Sequence, residues 1–169
     1  MGRSIQRDAG HGISGHAILV HPVRKGEAQE RSPEASLDEA VGLAKAIGLA
    51  VVHAFTVNAE HPRPATLFGT GTVERIRKLV ADGAEAGTPV DLVVVDHPLS
   101  PIQQRNLERA FEAKVIDRTG LILEIFGERA RTREGQLQVE LAALTYQRSR
   151  LVRSWTHLER QRGGFGFLG

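Results

Sequence analysis

Short apolar runs alternate with amphipathic stretches between residues 16 and 119. Four runs rich in Val, Ile and Leu have the length of β-strands, and they occupy residues 16–23, 49–57, 91–96 and 113–117. The segments "SLDEAVGLAKAIG", "TVERIRKLVADGAEAG" and "SPIQQRNLERAF" lie between them and repeat apolar residues at helical spacing. This alternation predicts an α/β fold, in which helices flank a small, mostly parallel four-stranded sheet.

Two of the helical segments carry recognisable start signals. Ser36 and Glu39 have the spacing of a capping box at the beginning of the first helix. Ser100, Pro101 and Gln103 supply an N-cap hydroxyl, a proline suited to the first turn and a capping-box partner. We therefore expect the first helix to be capped by Ser36 and the third by Ser100.

The pattern changes after Thr119, and residues 120–162 are interpreted as one long helical segment that begins on the sheet. Farther along, seven side chains recur at alternating spacings of four and three residues, the period of a coiled-coil seam. The seam comprises Leu137, Leu141, Leu144, Arg148, Leu151, Trp155 and Leu158. Because the sequence offers no second heptad helix to cover this stripe, we expect self-association through its apolar members.

Composition limits the remaining possibilities. The absence of cysteine excludes disulfides, a thiolate nucleophile and cysteine-based zinc sites. No apolar run has the length of a membrane span, and the N-terminus has no apolar segment typical of a secretory signal. We interpret residues 1–15 as a flexible lead-in, 16–119 as an α/β subdomain and 163–169 as a glycine-rich loop or tail. A cytoplasmic protein is expected.

Positive charge is concentrated in the C-terminal part of the chain. Residues 100–169 contain 12 Lys/Arg and 8 Asp/Glu, whereas residues 1–99 contain 10 and 12. Arginine binds phosphate well because its guanidinium stays charged and can form paired hydrogen bonds. The candidate RNA contacts are Arg129, Arg131, Arg133, Arg148, Arg150, Arg153 and Arg162. A solvated helix face would have the same pattern, so charge alone does not decide.

A glycine-rich turn precedes the second helix in "FGTGTVERI". Free backbone N–H groups at such a helix start can bind an anion, which makes Gly69, Thr70, Gly71 and Thr72 candidate nucleotide contacts. No lysine follows the glycines and neither common phosphate-binding motif is complete, so a structural turn is favoured. Asp96 joins the candidate set because it follows a strand, where α/β sheets bind ligands, although a role in organising the loop is favoured.

No arrangement of residues points to catalysis or metal binding. The seven histidines are scattered, and no metal-ligand motif or catalytic triad can be recognised. At the end of the last strand, Asp117 or Thr119 is expected to cap the following helix, and Arg118 to pair with a neighbouring carboxylate. We therefore predict no catalytic residue, no metal and no cofactor for this chain.

Four segments together resemble one family. They are "ATLFGTGTVERI", "VVVDHPLSPIQQRNLE", "KVIDRTGLILEIFGERARTREGQLQVELAAL" and "GGFGFLG". They are similar to the N-terminal region of HflX-type GTPases, which are ribosome-associated translational GTPases, and the resemblance runs from about Ala17 to Gly169. Many family members have lysine at the position of Thr72, and this departure weakens the expectation that the turn grips phosphate.

The resemblance implies an α/β subdomain followed by two long antiparallel helices and a GTP-binding domain. We expect this chain to hold the subdomain, the first long helix and the start of the connecting loop, since no residue matches the family's GTP-binding motifs. GTP and Mg²⁺ are implied for the full-length parent alone. The implied partners are the chain's own downstream helix, the GTP-binding domain and the large ribosomal subunit, whose RNA the helical part contacts. The parent would split stalled ribosomes.

Two other functions remain open at this point. The chain could be an α/β domain that binds ATP or GTP in its own right, through Gly69 to Thr72 and the strand ends. It could also be an oligomerisation module built on the heptad stripe.

Overall fold

The computed structural model shows a four-stranded sheet in which every strand runs parallel to its neighbours, and it describes residues 15–24, 26 and 31–150. The strands are β1 (Gly15–Val23), β2 (Leu49–Asn58), β3 (Val90–Val95) and β4 (Lys114–Asp117). The helices are α1 (Pro33–Ala46), α2 (Thr70–Glu85), α3 (Pro101–Phe111), α4 (Arg118–Arg129) and α5 (Arg133–Ser149). The spatial order is β2-β1-β3-β4. The predicted α/β sheet of four strands is thereby confirmed.

Helices cover both faces of the sheet, and each face has its own apolar core. Successive residues of a strand point to opposite faces, so Ala17 and Leu19 of β1 face one core while Ile18 and Val20 face the other. The first core contains side chains of α1 and α4 and, from α5, Tyr146. The second core contains side chains of α2 and α3. Burial of the strands on both faces explains their continuous apolar runs.

The helix starts agree with the sequence at α3 and differ at α1. Ser100 and Gln103 form a complete capping box with distances of 3.1 and 2.9 Å, as predicted. Helix α1 is capped instead by Ser32, whose hydroxyl accepts a hydrogen bond from the N–H of Ala35. Pro33 occupies the first helical turn, where its fixed φ angle fits. Ser36 therefore lies inside α1, and its predicted role as a cap is wrong.

The C-terminal part consists of two helices rather than one continuous helix over residues 120–150. Ala130 leaves the helical conformation with ψ of 118°, and the side chain of Thr132 accepts a hydrogen bond of 3.0 Å from the N–H of Gly135. A threonine at this position satisfies free N–H groups of a new helix, so the chain restarts as α5. Residues 151–162 of the predicted long helix, and residues 1–14 and 163–169 of the predicted lead-in and tail, lie outside the described residues.

Helix α5 presents its heptad leucines to the outside. Leu137, Leu141 and Leu144 are 52, 66 and 58 % exposed, whereas Ala143 and Tyr146 are the buried residues of the helix. The rest of the predicted seam, namely Leu151, Trp155 and Leu158, lies outside the described part of the chain. None of the described helices is both long enough and apolar enough to cross a membrane.

Candidate functional site

A crevice opens at the carboxyl edge of the sheet, between the ends of β1 and β3. Its volume is about 590 Å³. After β1 the chain turns to β2 on one side, while β3 lies on the other side, so the crevice coincides with the point where the strand order reverses. In open α/β sheets this is the usual place for a ligand, because the two chain connections diverge there and leave space between them.

A histidine, an aspartate and an arginine meet in this crevice. Nδ1 of His21, at the end of β1, lies 2.8 Å from Oδ2 of Asp96, which follows β3. The other carboxylate oxygen of Asp96 lies 4.0 Å from Nε of Arg118, the first residue of α4. Asp96 and His21 are largely buried, whereas the side chain of Arg118 is 59 % exposed. Asp96 therefore orients one imidazole and holds one guanidinium at the rim.

Helices α1 and α4 form the walls of the crevice. Arg31 and Glu39 make an ion pair on the α1 side, next to Ser36, and Leu121 with Ile122 contributes apolar surface from α4. The two arginines offset the two carboxylates, so the lining carries little net charge when the histidines are neutral. Such a lining suits a small ligand that has both an anionic group and apolar surface. The guanidinium of Arg118 would contact the anionic group, and the apolar walls would contact the rest.

The structure does not bring the five candidate nucleotide contacts together. Asp96 lies in the crevice, whereas Gly69, Thr70, Gly71 and Thr72 are absent from its lining. They form the start of α2, which packs on the opposite face of the sheet from α1 and α4. A side chain added at Gly69 or Gly71 would meet no atom within 4 Å, so internal packing does not require glycine there. The structure thus places Asp96 in the crevice and the other four candidates outside its lining.

A buried carboxylate forms a second polar centre beneath α5. Asp117 is fully buried, and its side chain caps α4 by accepting a hydrogen bond of 3.0 Å from the N–H of Gly120. It also accepts bonds from the N–H of Leu99 at 2.9 Å and the hydroxyl of Tyr146 at 2.7 Å. Of the two caps considered for α4, Asp117 is confirmed. Burial, and then the negative charge of Asp117, raises the pKa of Tyr146 above its usual value, so the hydroxyl stays protonated as a donor.

Arg150, one of the candidate RNA contacts, belongs to this buried centre. Its Nη2 atom lies 3.3 Å from the carboxylate of Asp117, and its Nη1 atom donates to the side-chain oxygen of Gln104 at 3.1 Å. The guanidinium also lies 4.9 Å from the ring centroid of Tyr146. Its side chain is 17 % exposed, and its guanidinium already pairs with a carboxylate of the same chain.

Four other candidate arginines are exposed. Arg129 ends α4, Arg131 lies in the break and Arg133 begins α5, so these three surround the junction of the two helices. Arg148 lies in the last turn of α5. The remaining candidates, Arg153 and Arg162, lie outside the described residues. The exposed set thus has two locations, the helix junction and the far end of α5.

Sequence reasoning missed three members of these polar centres, namely His21, Tyr146 and Gln104. The sequence pattern assigns His21 only to a strand. Its position near the end of that strand, where α/β sheets bind ligands, is the sequence feature that could have identified it. Tyr146 does not occupy a heptad position of the apolar seam, and the sequence pattern therefore assigns it no role. Its position four residues before Arg150 on one helix face is a signal that both side chains serve a common partner. Among the described residues, no group of three or more His, Cys, Asp or Glu side chains could hold a metal ion.

Comparison with known proteins gives the family. The model of the GTP-binding GTPase N-terminal family matches residues 34–127, and that of the GTP-binding GTPase middle region matches residues 129–169. The chain is 56 % identical to GTPase HflX of Magnetococcus marinus over 133 residues, which are 79 % of this chain and 30 % of the relative. It is 46 % identical to GTPase HflX of Escherichia coli over 153 residues, which are 90 % of this chain and 34 % of the relative.

The fold has counterparts among solved structures. A GTP-binding protein from the hyperthermophilic archaeon Sulfolobus solfataricus, solved in complex with GDP, superimposes with a TM-score of 0.59 and 20 % sequence identity. The match covers 88 % of this chain and 42 % of that protein, and it supports the fold alone. The chain spans about a third of the length of the two HflX relatives that it matches. From the two family models and these relatives, the chain belongs to the HflX family of GTPases and corresponds to their N-terminal and middle regions.

Proposed function

We propose that this chain is the ribosome-binding region of an HflX-type GTPase and that it contacts ribosomal RNA of the large subunit. The observation that carries the proposal is the set of exposed arginines, Arg129, Arg131 and Arg133, at the junction of α4 and α5. Exposed guanidinium groups bind phosphate oxygens, and three of them within five residues offer a dense cationic surface. Arg148 adds a cation at the far end of α5.

In the parent protein, RNA binding by this region is coupled to GTP hydrolysis and to the splitting of stalled ribosomes. The glycine-rich turn before α2 has no lysine, and the residues that the structure describes offer no cluster of metal ligands. We therefore assign GTP and Mg²⁺ to another domain of the parent. A ribosomal partner is found in the cytoplasm, which is the location that we propose for the protein.

Cosedimentation with large ribosomal subunits over a series of salt concentrations tests this function. The dependence of log K on log salt weakens by about 0.7 to 0.9 for each phosphate contact that is lost. We expect Arg131→Ala with Arg133→Ala to lower the affinity and to flatten this slope. Arg105→Ala with Arg109→Ala removes the same charge from α3, on the opposite face of the sheet, and is the matched control. Equal slopes for the two variants would refute the arginine surface.

A second candidate function is nucleotide binding, and the location of the crevice favours it. The site would be the switch-point crevice with His21, Asp96 and Arg118, rather than the turn at Gly69 to Thr72. Calorimetric titration with ATP and with GTP separates the two locations. Binding heat that Arg118→Ala abolishes and Gly71→Ala preserves would place the ligand in the crevice. The opposite result would return it to the start of α2, and no heat with either nucleotide would exclude this function.

A further inference from the structure

Helix α5 has few apolar contacts that could fix its direction. Ala143 and Tyr146 are its buried residues in the described part of the chain, and its large leucines face outward. The link to α4 is not helical, because Ala130 is extended and Thr132 starts a new helix. Apolar burial is also non-directional, so this small contact restricts the angle of the helix less than hydrogen bonds and ion pairs do.

Directional contacts converge on one carboxylate at the C-terminal half of α5. Tyr146 and Arg150 are one helical turn apart and reach Asp117 from the same side, at 2.7 and 3.3 Å. Asp117 is itself immobilised, since it ends β4 and accepts hydrogen bonds from the N–H groups of Leu99 and Gly120. Two points of attachment on one helix restrict both its distance and its rotation.

A third element joins the same network. Arg150 donates to Oε1 of Gln104, a residue of α3 whose amide nitrogen donates to the carbonyl of Val115 in β4 at 2.8 Å. Gln104 is buried, so this hydrogen bond is protected from competition with water. The guanidinium therefore ties α5 to α3 and, through Asp117, to the end of β4.

We propose that Asp117, Tyr146 and Arg150 form a latch that fixes the direction of α5, with Ala130–Thr132 as the hinge that the latch holds still. Tyr146 and Arg150 are positioning residues: they face the protein interior and set where Arg148, in the last turn of α5, lies relative to Arg129 at the end of α4. When the latch opens, α5 turns about the hinge, and Arg148 no longer keeps the distance from Arg129 that a rigid RNA surface requires. The RNA part of this inference rests on the proposed function, whereas the latch itself does not.

Pulsed electron–electron spin resonance measures the helix direction without any ribosome. The chain contains no cysteine, so Lys78→Cys on α2 and Glu140→Cys on α5 give two unique label positions, both exposed. The doubly labelled chain without further substitutions should show one narrow distribution of distances between the two labels. Tyr146→Phe with Arg150→Ala should broaden the distribution and shift part of it to other distances. Thr145→Ala removes a hydroxyl from the same turn, one that donates to the carbonyl of Leu141 within α5, and it should change nothing.

Tyr146→Phe alone keeps the test valid if the double variant fails to fold, since it keeps the ring in the core and removes the hydrogen bond to Asp117. It should broaden the distribution less than the double variant does, with unchanged circular dichroism. If both the single and the double variant give the same distance distribution as the labelled chain without these substitutions, the latch is refuted.

Cosedimentation of the same variants with large ribosomal subunits tests the positioning role. The double variant should lose affinity although it retains Arg129, Arg131, Arg133 and Arg148, and Thr145→Ala should keep it. Unchanged affinity with a broadened distribution overturns the positioning role and leaves the latch standing. If the unaltered chain does not sediment with ribosomes, the proposed function fails, and the spin-label distances still decide whether the latch exists.

Discussion

The carboxylate of Asp117 accepts hydrogen bonds from two backbone N–H groups, one hydroxyl and one guanidinium. All of these donors lose their acceptor together if the side chain is removed, and the guanidinium of Arg150 then becomes a largely buried charge without its partner. Removing one member of a buried ion pair costs about 3–5 kcal/mol of stability. The residue thus serves as a helix cap and as the anchor of a second helix at the same time.

We predict that Asp117→Ala lowers the free energy of unfolding by about 3–5 kcal/mol. Equilibrium unfolding in urea, followed by circular dichroism, measures the loss. Asp82→Ala is the matched control, because Asp82 is exposed and pairs with Lys78 at 3.8 Å on the surface of α2. Surface pairs of this spacing contribute only about 0.3–0.5 kcal/mol. Similar losses for the two variants would mean that the buried network contributes nothing beyond a surface pair.

The chemistry of single residues could be predicted from the sequence only where their partners are local. Asp117 was recognisable as a cap because the N–H that it binds lies three residues away, at Gly120. Its pairing with Arg150 spans 33 residues and depends on where α5 docks. Likewise His21 and Asp96 are 75 residues apart and meet only because β1 and β3 are neighbours in the sheet. The spacing of neighbouring residues along the sequence therefore predicts neither the Asp117–Arg150 pair nor the His21–Asp96 pair.

At the level of elements, the strands and helices followed from periodicity, whereas their ends depended on capping chemistry. The sequence pattern assigns the cap of α1 to Ser36, whereas the structure uses Ser32, directly before Pro33, because proline fits the first turn. The break before α5 was missed for a related reason. No large apolar residue lies between Phe126 and Leu137, so periodicity could not show that the helix ends and restarts at the N-cap Thr132.

Substitution of the caps distinguishes a used serine from an unused one. Ser100→Ala removes the acceptor for the N–H of Gln103 and should lower the free energy of unfolding by about 1 kcal/mol. Ser36→Ala should be neutral or stabilise by up to about 0.5 kcal/mol, since Ser36 lies inside α1 and alanine is the better helix former. The comparison uses urea unfolding of both variants. A larger loss at Ser36 than at Ser100 would contradict the observed start of α1.

Two glycines within helices should respond in opposite directions to the same substitution. Gly42 lies inside α1, where an added Cβ would meet nothing within 4 Å, so Gly42→Ala should stabilise by about 0.5–1 kcal/mol. Gly83 in α2 lies against the backbone, because a Cβ there would be 2.8 Å from the carbonyl oxygen of Thr88. Gly83→Ala should therefore destabilise despite the better helix propensity. Thermal melts of the two variants check the sign, and stabilisation at both positions would contradict the packing of Gly83.

For the molecule as a whole, the exposed leucines of α5 are the feature that the fold leaves unexplained. Leu137, Leu141 and Leu144 lie on one face of the helix, are more than half exposed, and contribute nothing to either core. Burial of one large apolar side chain stabilises by about 1.5–3 kcal/mol, so three of them provide a substantial driving force for association. Their heptad spacing fits pairing with another helix of the same kind.

We expect the chain to self-associate through this stripe, weakly and in a concentration-dependent manner, because the exposed Arg148 continues the seam and opposes close packing of two like charges. Analytical ultracentrifugation should show dimers or larger species that increase with protein concentration. Leu141→Asp with Leu144→Asp should return monomers, since both positions are exposed and the change leaves the two cores intact. Ile102→Asp, at an exposed apolar position on α3, is the control and should leave association unchanged. An unaltered chain that remains monomeric at high concentration, with its helical content preserved, would show that the leucine stripe does not pair with a second copy.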